Sequence, residues 1–472
     1  MKKKISDKVI KAIIPFIVLA IIWVIPVPEG LTKNGWLFLG VFLAVVTGLI
    51  LEPVPSALIG FAGVSFAAVL GLTGDAGQSI SWALSGFSNT VIWLIFTAFM
   101  IALGYQKTGL GKRISLIMVK YLGKSSLGLG YAVALSDLFL SPFMPSNTAR
   151  SAGTVYPVAI NIPWIFNSTP DHEPRKLGSY LMWVGIASTC VTSSMFLTAL
   201  APNLLAIEFI AEGTGHIISW AEWAKIMLPL MLPTFLLTPW LIYIIYPPYQ
   251  KHSPKAPAWA DSELKKLGSL TKKEILMGLL AGVALIMWIF GEKIGIHPTT
   301  TAIAVVSVMI FLNVITWDDL ISRKEAVNIL LWFASLVAMA SGLEKVGVLS
   351  WIGANTEVLL MQMSPVMVIL SILFIFYFLH YFFASITAHT TALMPLFVAV
   401  AARILSAEQL IPFLILLAGS LGIMGILTPY ATGPSPVWYG TGYISQSRWW
   451  AMGALFGAIY FIVLLVGAFI FI

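Results

Sequence analysis

Charge is scarce in this chain. Of 472 residues, 10% are Asp, Glu, Lys or Arg and 59% are hydrophobic, where a soluble domain carries about 25% charged residues. Apolar runs of roughly 17–25 residues, long enough to cross a bilayer, recur along the whole length, so no soluble domain of any size is left. Cys190 is the only cysteine, which excludes an internal disulfide. The chain has no His-Glu-x-x-His metal pair and no Gly-x-Ser-x-Gly nucleophile. Asp137 and Asp171 are not arranged as a protease dyad. No enzyme activity, bound metal or cofactor is therefore expected. The net charge of +7 comes with no basic, aromatic-interleaved soluble patch, so it is no nucleic-acid footprint.

What is present is one polytopic, all-α membrane unit. About eleven spans are expected, near 9–27, 34–51, 54–72, 90–106, 178–200, 222–247, 273–291, 298–316, 325–343, 410–427 and 449–471. Two further apolar stretches, 126–160 and 364–404, are interrupted by polar motifs and read as re-entrant hairpins. Non-helical backbone at membrane depth is allowed only where protein or a water cavity covers it. With Lys2-Lys3-Lys4 inside and each hairpin returning to its own side, basic clusters at 107–124, 175–176, 251–273 and 323–324, with Arg448, fall inside. Lys33, Lys293, Lys345 and Arg403 alone fall outside. That is the positive-inside bias, and it places the N-terminus inside. The first apolar stretch is too long for a signal peptide, so an uncleaved first span is expected.

The interruptions are duplicated. Ser146-Asn147-Thr148-Ala149-Arg150 and Ser385-Ile386-Thr387-Ala388-His389 lie 239 residues apart. Gly104, Lys107 and Gly109 match Gly342, Lys345 and Gly347 at an offset of 238, and Asn89 and Trp93 match Asn328 and Trp332 at 239. With the first hairpin entering from inside and the second from outside, the repeats are inverted. Both tips then fall near the midplane, where inverted-repeat transporters bind substrate. A second break follows each hairpin: Thr198-Ala199-Leu200-Ala201-Pro202-Asn203, ending the span begun near Gly178, and Thr428-Pro429-Tyr430-Ala431-Thr432-Gly433-Pro434-Ser435-Pro436. Such breaks free backbone groups for a ligand or ion.

The site chemistry suits a carboxylate. Ser146, Asn147, Thr148, Ser385 and Thr387 offer side-chain donors, and Thr198, Pro202, Thr432 and Gly433 belong to the breaks beside them. Helices starting at the tips add free amides and a positive dipole end. Two facing tips would hold both ends of a small dicarboxylate. Arg150 and His389 occupy equivalent places four residues after the paired serines, and a charge in an apolar segment is a functional candidate. Two readings stand. Either the pair supplies fixed positive charge in place of a bound cation, or Arg150 pairs with Asp137 and His389 is a neutral core histidine. Fixed charge would keep the empty carrier from crossing and so favour exchange, with protonation of His389 making transport respond to pH.

Residues 145–150, 385–389 and 427–434 are similar to the motifs of the divalent-anion:sodium symporter (DASS) family, over nearly the full length. They look most like its branch of citrate/succinate and 2-oxoglutarate/malate exchangers. The resemblance implies an inverted-repeat fold, a homodimer joined by scaffold helices and an elevator-type motion of the hairpin-bearing part. It implies scaffold over 1–125, a transport part over 126–221, connecting scaffold over 222–363 with a cytosolic loop at 248–272, a second transport part over 364–448 and a last helix over 449–472. Symporters of the family carry Ser-Asn-Thr in both hairpins. Here Ile386 replaces the second asparagine, which argues against a second sodium site. The expected activity is sodium-independent exchange of di- or tricarboxylates such as 2-oxoglutarate, malate, succinate or citrate across the bacterial cytoplasmic membrane. The alternative is a sodium-coupled symporter of the same acids.

Overall fold

A computed structural model describes residues 2–360 and 363–472. Among these, ten helical stretches are long and apolar enough to cross a membrane, including Lys33–Leu51, Trp220–Ile245, Lys272–Phe290, Lys324–Lys345 and Gln446–Phe471. Ser56–Val69 and Pro298–Phe311 are shorter than the spans expected there, at 14 residues each, or roughly 21 Å of helix.

The first hairpin enters through Ser126–Leu140. Fifteen residues of helix reach roughly 22 Å, short of the ~30 Å hydrocarbon core. Its entry and exit are held by one short segment. The Ser126 amide donates to Lys251 O and the Ser253 amide to Lys124 O, while the Tyr249 and Gln250 amides donate to Arg175 O and Lys176 O. A single strip of chain thus touches both ends, so the hairpin returns to the face it left, the face rich in Lys and Arg. The second hairpin enters through Pro365–Leu379 and returns through Ile386–Ile404. Arg403, near the end of that return, packs on Gly353 in the helix that precedes the hairpin.

The two repeats are inverted in space. Thr90–Thr108 and Lys324–Lys345 are equivalent helices. The end of the first lies beside the start of the second: Lys107 Nζ is 2.5 Å from Asp319, and Arg323 donates to Gln106 Oε1 at 3.3 Å. Each helix is followed by a left-handed glycine, Gly109 at φ 78° and Gly347 at φ 77°, so the Gly-x-x-Lys-x-Gly turn has one conformation in both copies. The Lys107 hydrogen bond holds the Asp319 carboxyl down to about 2, so this exposed link between repeats stays charged until strongly acidic pH.

Two expectations need correction. The first break is shorter than expected: helix Gly178–Met195 ends before it, and only residues 196–200 lie outside α-helix. Pro202 is the second residue of a new helix, Ala201–Thr214, a position where its missing N–H has no partner to lose. The 248–272 segment is no bare loop either, since Lys255–Leu267 is helical. Ala256 and Ala260 are buried there, and Lys120 of helix Leu110–Leu122 bonds Asp261 at 2.7 Å. Lysines at helical spacing on both partners gave these helices the look of polar turns.

Every residue of helix Gly178–Met195 is buried. It is the axis around which Ser126–Leu140, Trp220–Ile245 and Ala407–Ile423 pack. Gly185 lies against the ring of Trp438, closer than any Cβ would allow. The hydroxyls of Thr189, Thr192 and Ser193 in this helix are not exposed to water; they serve the hairpin described next.

Candidate functional site

The two tips are built alike. Ser146 Oγ accepts from the Ala149 amide at 3.1 Å, and Ser385 Oγ accepts from the Ala388 amide at 3.3 Å. The Arg150 amide donates to Ser146 O and the His389 amide to Ser385 O. Each serine therefore caps the returning arm and fixes the tip backbone.

The arms differ beyond the cap. From Ser385 the chain continues as a regular α-helix, whereas Thr148–Val155 is π-helical. The cause lies in the spacing. Pro157 follows Ser146 by 11 residues and Pro395 follows Ser385 by 10. The wider π turn absorbs the extra residue, and such turns gather at functional sites. A one-residue mismatch between otherwise matched repeats was the sequence signal for it.

Both tips open into one cavity of about 350 Å³. Ser146, Asn147, Thr148, Pro202, Ser385, Thr387, Thr432 and Gly433 line it. The tips are locked to the breaks. Asn147 Nδ2 donates to Thr432 Oγ1 at 2.8 Å, and the Ala201 amide donates to Pro145 O at 2.8 Å. Gly433 sits so close to Thr148 that an added Cβ would lie 1.9 Å from Thr148 Oγ1. Helix Ile386–Ile404 points its N-terminus at the cavity, which favours an anion.

Three expected site residues lie outside this cavity. Thr198 donates to Pro142 O at 2.6 Å and braces the first tip from behind. With Leu197 it lines a second cavity, of about 520 Å³, with His216, Trp220 and His297 at the opposite end of helix Thr90–Thr108. Arg150 is fully buried. Its Nε is 3.1 Å from Asp137, its Nη1 donates to Met144 O and Ala199 O at 2.7 Å each, and its Nη2 reaches Ser193 Oγ at 2.9 Å and the hydroxyls of Thr189 and Thr192. Asp137 also accepts from Thr189 and Thr192. The guanidinium is neutralised and fully engaged, so it offers no free charge to the cavity. Of the two readings the sequence left open, the geometry of Arg150 is that of the Asp137 pair.

His389 is likewise buried, and its ring lies edge-on to Phe376 at 4.5 Å and to Phe383 and His380 at 5.0 Å. Among the described residues, neither ring nitrogen has a hydrogen-bond partner. His380, which the sequence reading missed, bonds Ala431 O through Nε2 at 2.9 Å and ties the second tip to the second break. A histidine in an otherwise apolar hairpin arm was the available signal.

Helices outside the hairpins and breaks, and the turn after Lys33–Leu51, add Glu52, Ser56, Phe99, Glu325, Ile329, Trp332 and Phe333 to the wall. Only Trp332 carried a sequence signal, as the repeat mate of Trp93. The mates differ in use. Trp93 Nε1 donates to Phe87 O at 2.8 Å, while Trp332 Nε1 is buried with no partner among the described residues. Glu325 is 3.1 Å from Arg323, so this part of the wall lies toward the Lys- and Arg-rich face.

Comparison with known proteins gives this geometry a setting. Residues 6–471 match the family described as sodium:sulfate symporter transmembrane region. The chain is 46% identical over 468 residues to the L-tartrate/succinate antiporter of Escherichia coli (strain K12), covering 96% of this chain and 95% of that one. Proteins of the same name from Escherichia coli O157:H7 and Shigella flexneri match with the same identity and coverage. Among solved structures, the YdaH transporter of Alcanivorax borkumensis has a TM-score of 0.58 at 12% identity, covering 93% of this chain and 98% of that one. MtrF of Neisseria gonorrhoeae has a TM-score of 0.57 at 13% identity, covering 88% and 94%; both likenesses are of fold alone. Full-length agreement with relatives nearly half identical, in a helical membrane fold with paired hairpins, places this chain in the sodium:sulfate symporter family, the divalent-anion:sodium symporters its two hairpin motifs resemble.

Proposed function

We propose that this protein exchanges small dicarboxylates across the cytoplasmic membrane without sodium. Tartrate and succinate, named for its relatives, are the first candidates, with 2-oxoglutarate, malate and citrate behind them. The observation that carries the reading is the meeting of both hairpin tips in one cavity of about 350 Å³. One carboxylate is assigned to the Ser146–Thr148 tip and the other to Ser385, Thr387 and the start of helix Ile386–Ile404. Trp332 of the cavity wall, whose buried indole N–H has no partner among the described residues, is assigned as a further donor. Ile386 puts an apolar side chain where the family's symporters carry an amide, which supports exchange over sodium symport.

Movement is assigned to the block of hairpins and breaks against the scaffold, as an elevator. Supporting this, residues 197–202, the first break and the start of the helix after it, form a thin wall. Leu200 and Pro202 face the cavity on the Lys-rich side, and Leu197 and Thr198 face the cavity at the other end. A small displacement of the block would move the substrate site from one to the other. A homodimer through the scaffold, as the family resemblance implies, would hold the fixed part in the membrane.

Calorimetry on the purified protein tests the site. Succinate and tartrate should bind equally well in sodium and choline chloride. Trp332→Phe removes an N–H from a residue of the cavity wall and should weaken binding by about tenfold or more, since a hydrogen bond to a charged group contributes ~1.5–3 kcal/mol. Unchanged affinity in that variant would take Trp332 out of the site. Binding of neither acid would remove the dicarboxylate reading.

A further inference from the structure

Away from the transport cavity, three cations gather on tyrosine rings on the Lys-rich face. The Arg175 guanidinium lies 4.5 Å from the Tyr246 ring centroid and 4.8 Å from that of Tyr249. Arg448 lies 5.5 Å from the same Tyr246 ring. Lys251 sits 4.3 Å from the ring of Tyr243. Among the described residues, none of the three cations is within salt-bridge distance of a carboxylate. Arg175 Nε is buried and has no hydrogen-bond partner. Two guanidiniums share one ring, so they are no farther apart than those two distances laid end to end, and they repel each other. An anion between them removes that cost.

The level of the cluster selects the anion. Tyr246 directly follows the membrane-crossing helix Trp220–Ile245, and Arg448 stands in the first turn of the membrane-crossing helix Gln446–Phe471. The cations therefore lie at headgroup depth, in a tyrosine belt of the kind that marks membrane interfaces. Just inside them Trp240, Ile244 and Ile245 are exposed and present an apolar surface for acyl chains. Basic pockets between helices on this side of a membrane hold lipid phosphates.

We propose that Arg175, Arg448 and Lys251 bind the phosphate of an anionic membrane lipid. The segment carrying Tyr249 and Lys251 also bonds both ends of the first hairpin, so the bound lipid braces the root of that hairpin. The test is thermal unfolding of the full chain in neutral detergent, with phosphatidylglycerol, phosphatidylcholine or inorganic phosphate added. Phosphatidylglycerol should raise the midpoint by a few degrees and phosphatidylcholine should not. Arg448→Gln, at an exposed position, should remove most of that shift, as should Arg175→Gln, while Arg448→Lys should keep most of it. Equal shifts from the two lipids, or a phosphatidylglycerol shift untouched by Arg448→Gln, would overturn the proposal. A shift reproduced by millimolar inorganic phosphate would overturn the lipid as occupant and make this a soluble-anion site.

Discussion

Arg150→Met is expected to destabilise the protein by about 3–5 kcal/mol, because it leaves Asp137 as a buried carboxylate without its cation. It also removes the donors that hold Met144 O and Ala199 O, so the first tip and the first break lose the tie that the guanidinium makes between them. The double change Arg150→Met with Asp137→Leu should regain much of the lost stability, since apolar groups can replace a buried ion pair at little cost. Thermal unfolding of the three proteins in detergent measures this directly. An Arg150→Met protein that unfolds like the parent but fails to bind succinate would show that the guanidinium serves the substrate instead of the hairpin. The sequence reading gave Arg150 two possible roles. The geometry pairs the guanidinium with Asp137, the second of those roles.

Gly433→Ala is the second large effect. The added methyl would fall 1.9 Å from Thr148 Oγ1 and 3.3 Å from Thr148 Cβ. Turning the threonine to put Hβ there relieves the oxygen clash but carries Oγ1 out of its place, and Cβ stays 3.3 Å from the methyl. Either that turn or a retreat of the tip from the break costs Thr148 its aim, and a retreat also strains the nearby Asn147–Thr432 bond. A loss of about 10–100-fold in dicarboxylate affinity is expected, on the order of 1.5–3 kcal/mol for one misplaced donor to a charged group. Adding Thr148→Ala removes the clashing Oγ1, and Cγ2 with it, and should restore folding and tip packing, while leaving affinity low. Gly433→Ala with parental binding would mean that the tip and the break do not meet as described.

Much of this was legible because membrane burial leaves a coarse record. Polar motifs inside apolar sequence located both tips and both breaks, and eight of the residues singled out line one cavity. Side-chain direction was less legible. Arg150 and Ser146 are four residues apart, yet one faces the helix Gly178–Met195 and the other the cavity. Which way each turns is set by Thr189, Thr192, Ser193 and Asp137, partners distant in sequence. Thr198 was likewise claimed by Pro142 O. The scaffold wall was hidden because Glu52, Glu325 and Phe99 sit at ordinary helix ends or on ordinary apolar faces, and only packing brings them to the tips. Short amphipathic helices such as Lys255–Leu267 were hidden by their lysines, since a polar helix docked by two alanines looks like a loop.

The central claim is exchange of dicarboxylates without sodium. The most direct test is uptake of labelled succinate into proteoliposomes holding the purified protein, empty or preloaded with unlabelled tartrate, with and without an inward sodium gradient. The account predicts uptake that requires internal tartrate and is indifferent to sodium. Uptake into empty vesicles driven by the sodium gradient would contradict it and make the protein a symporter.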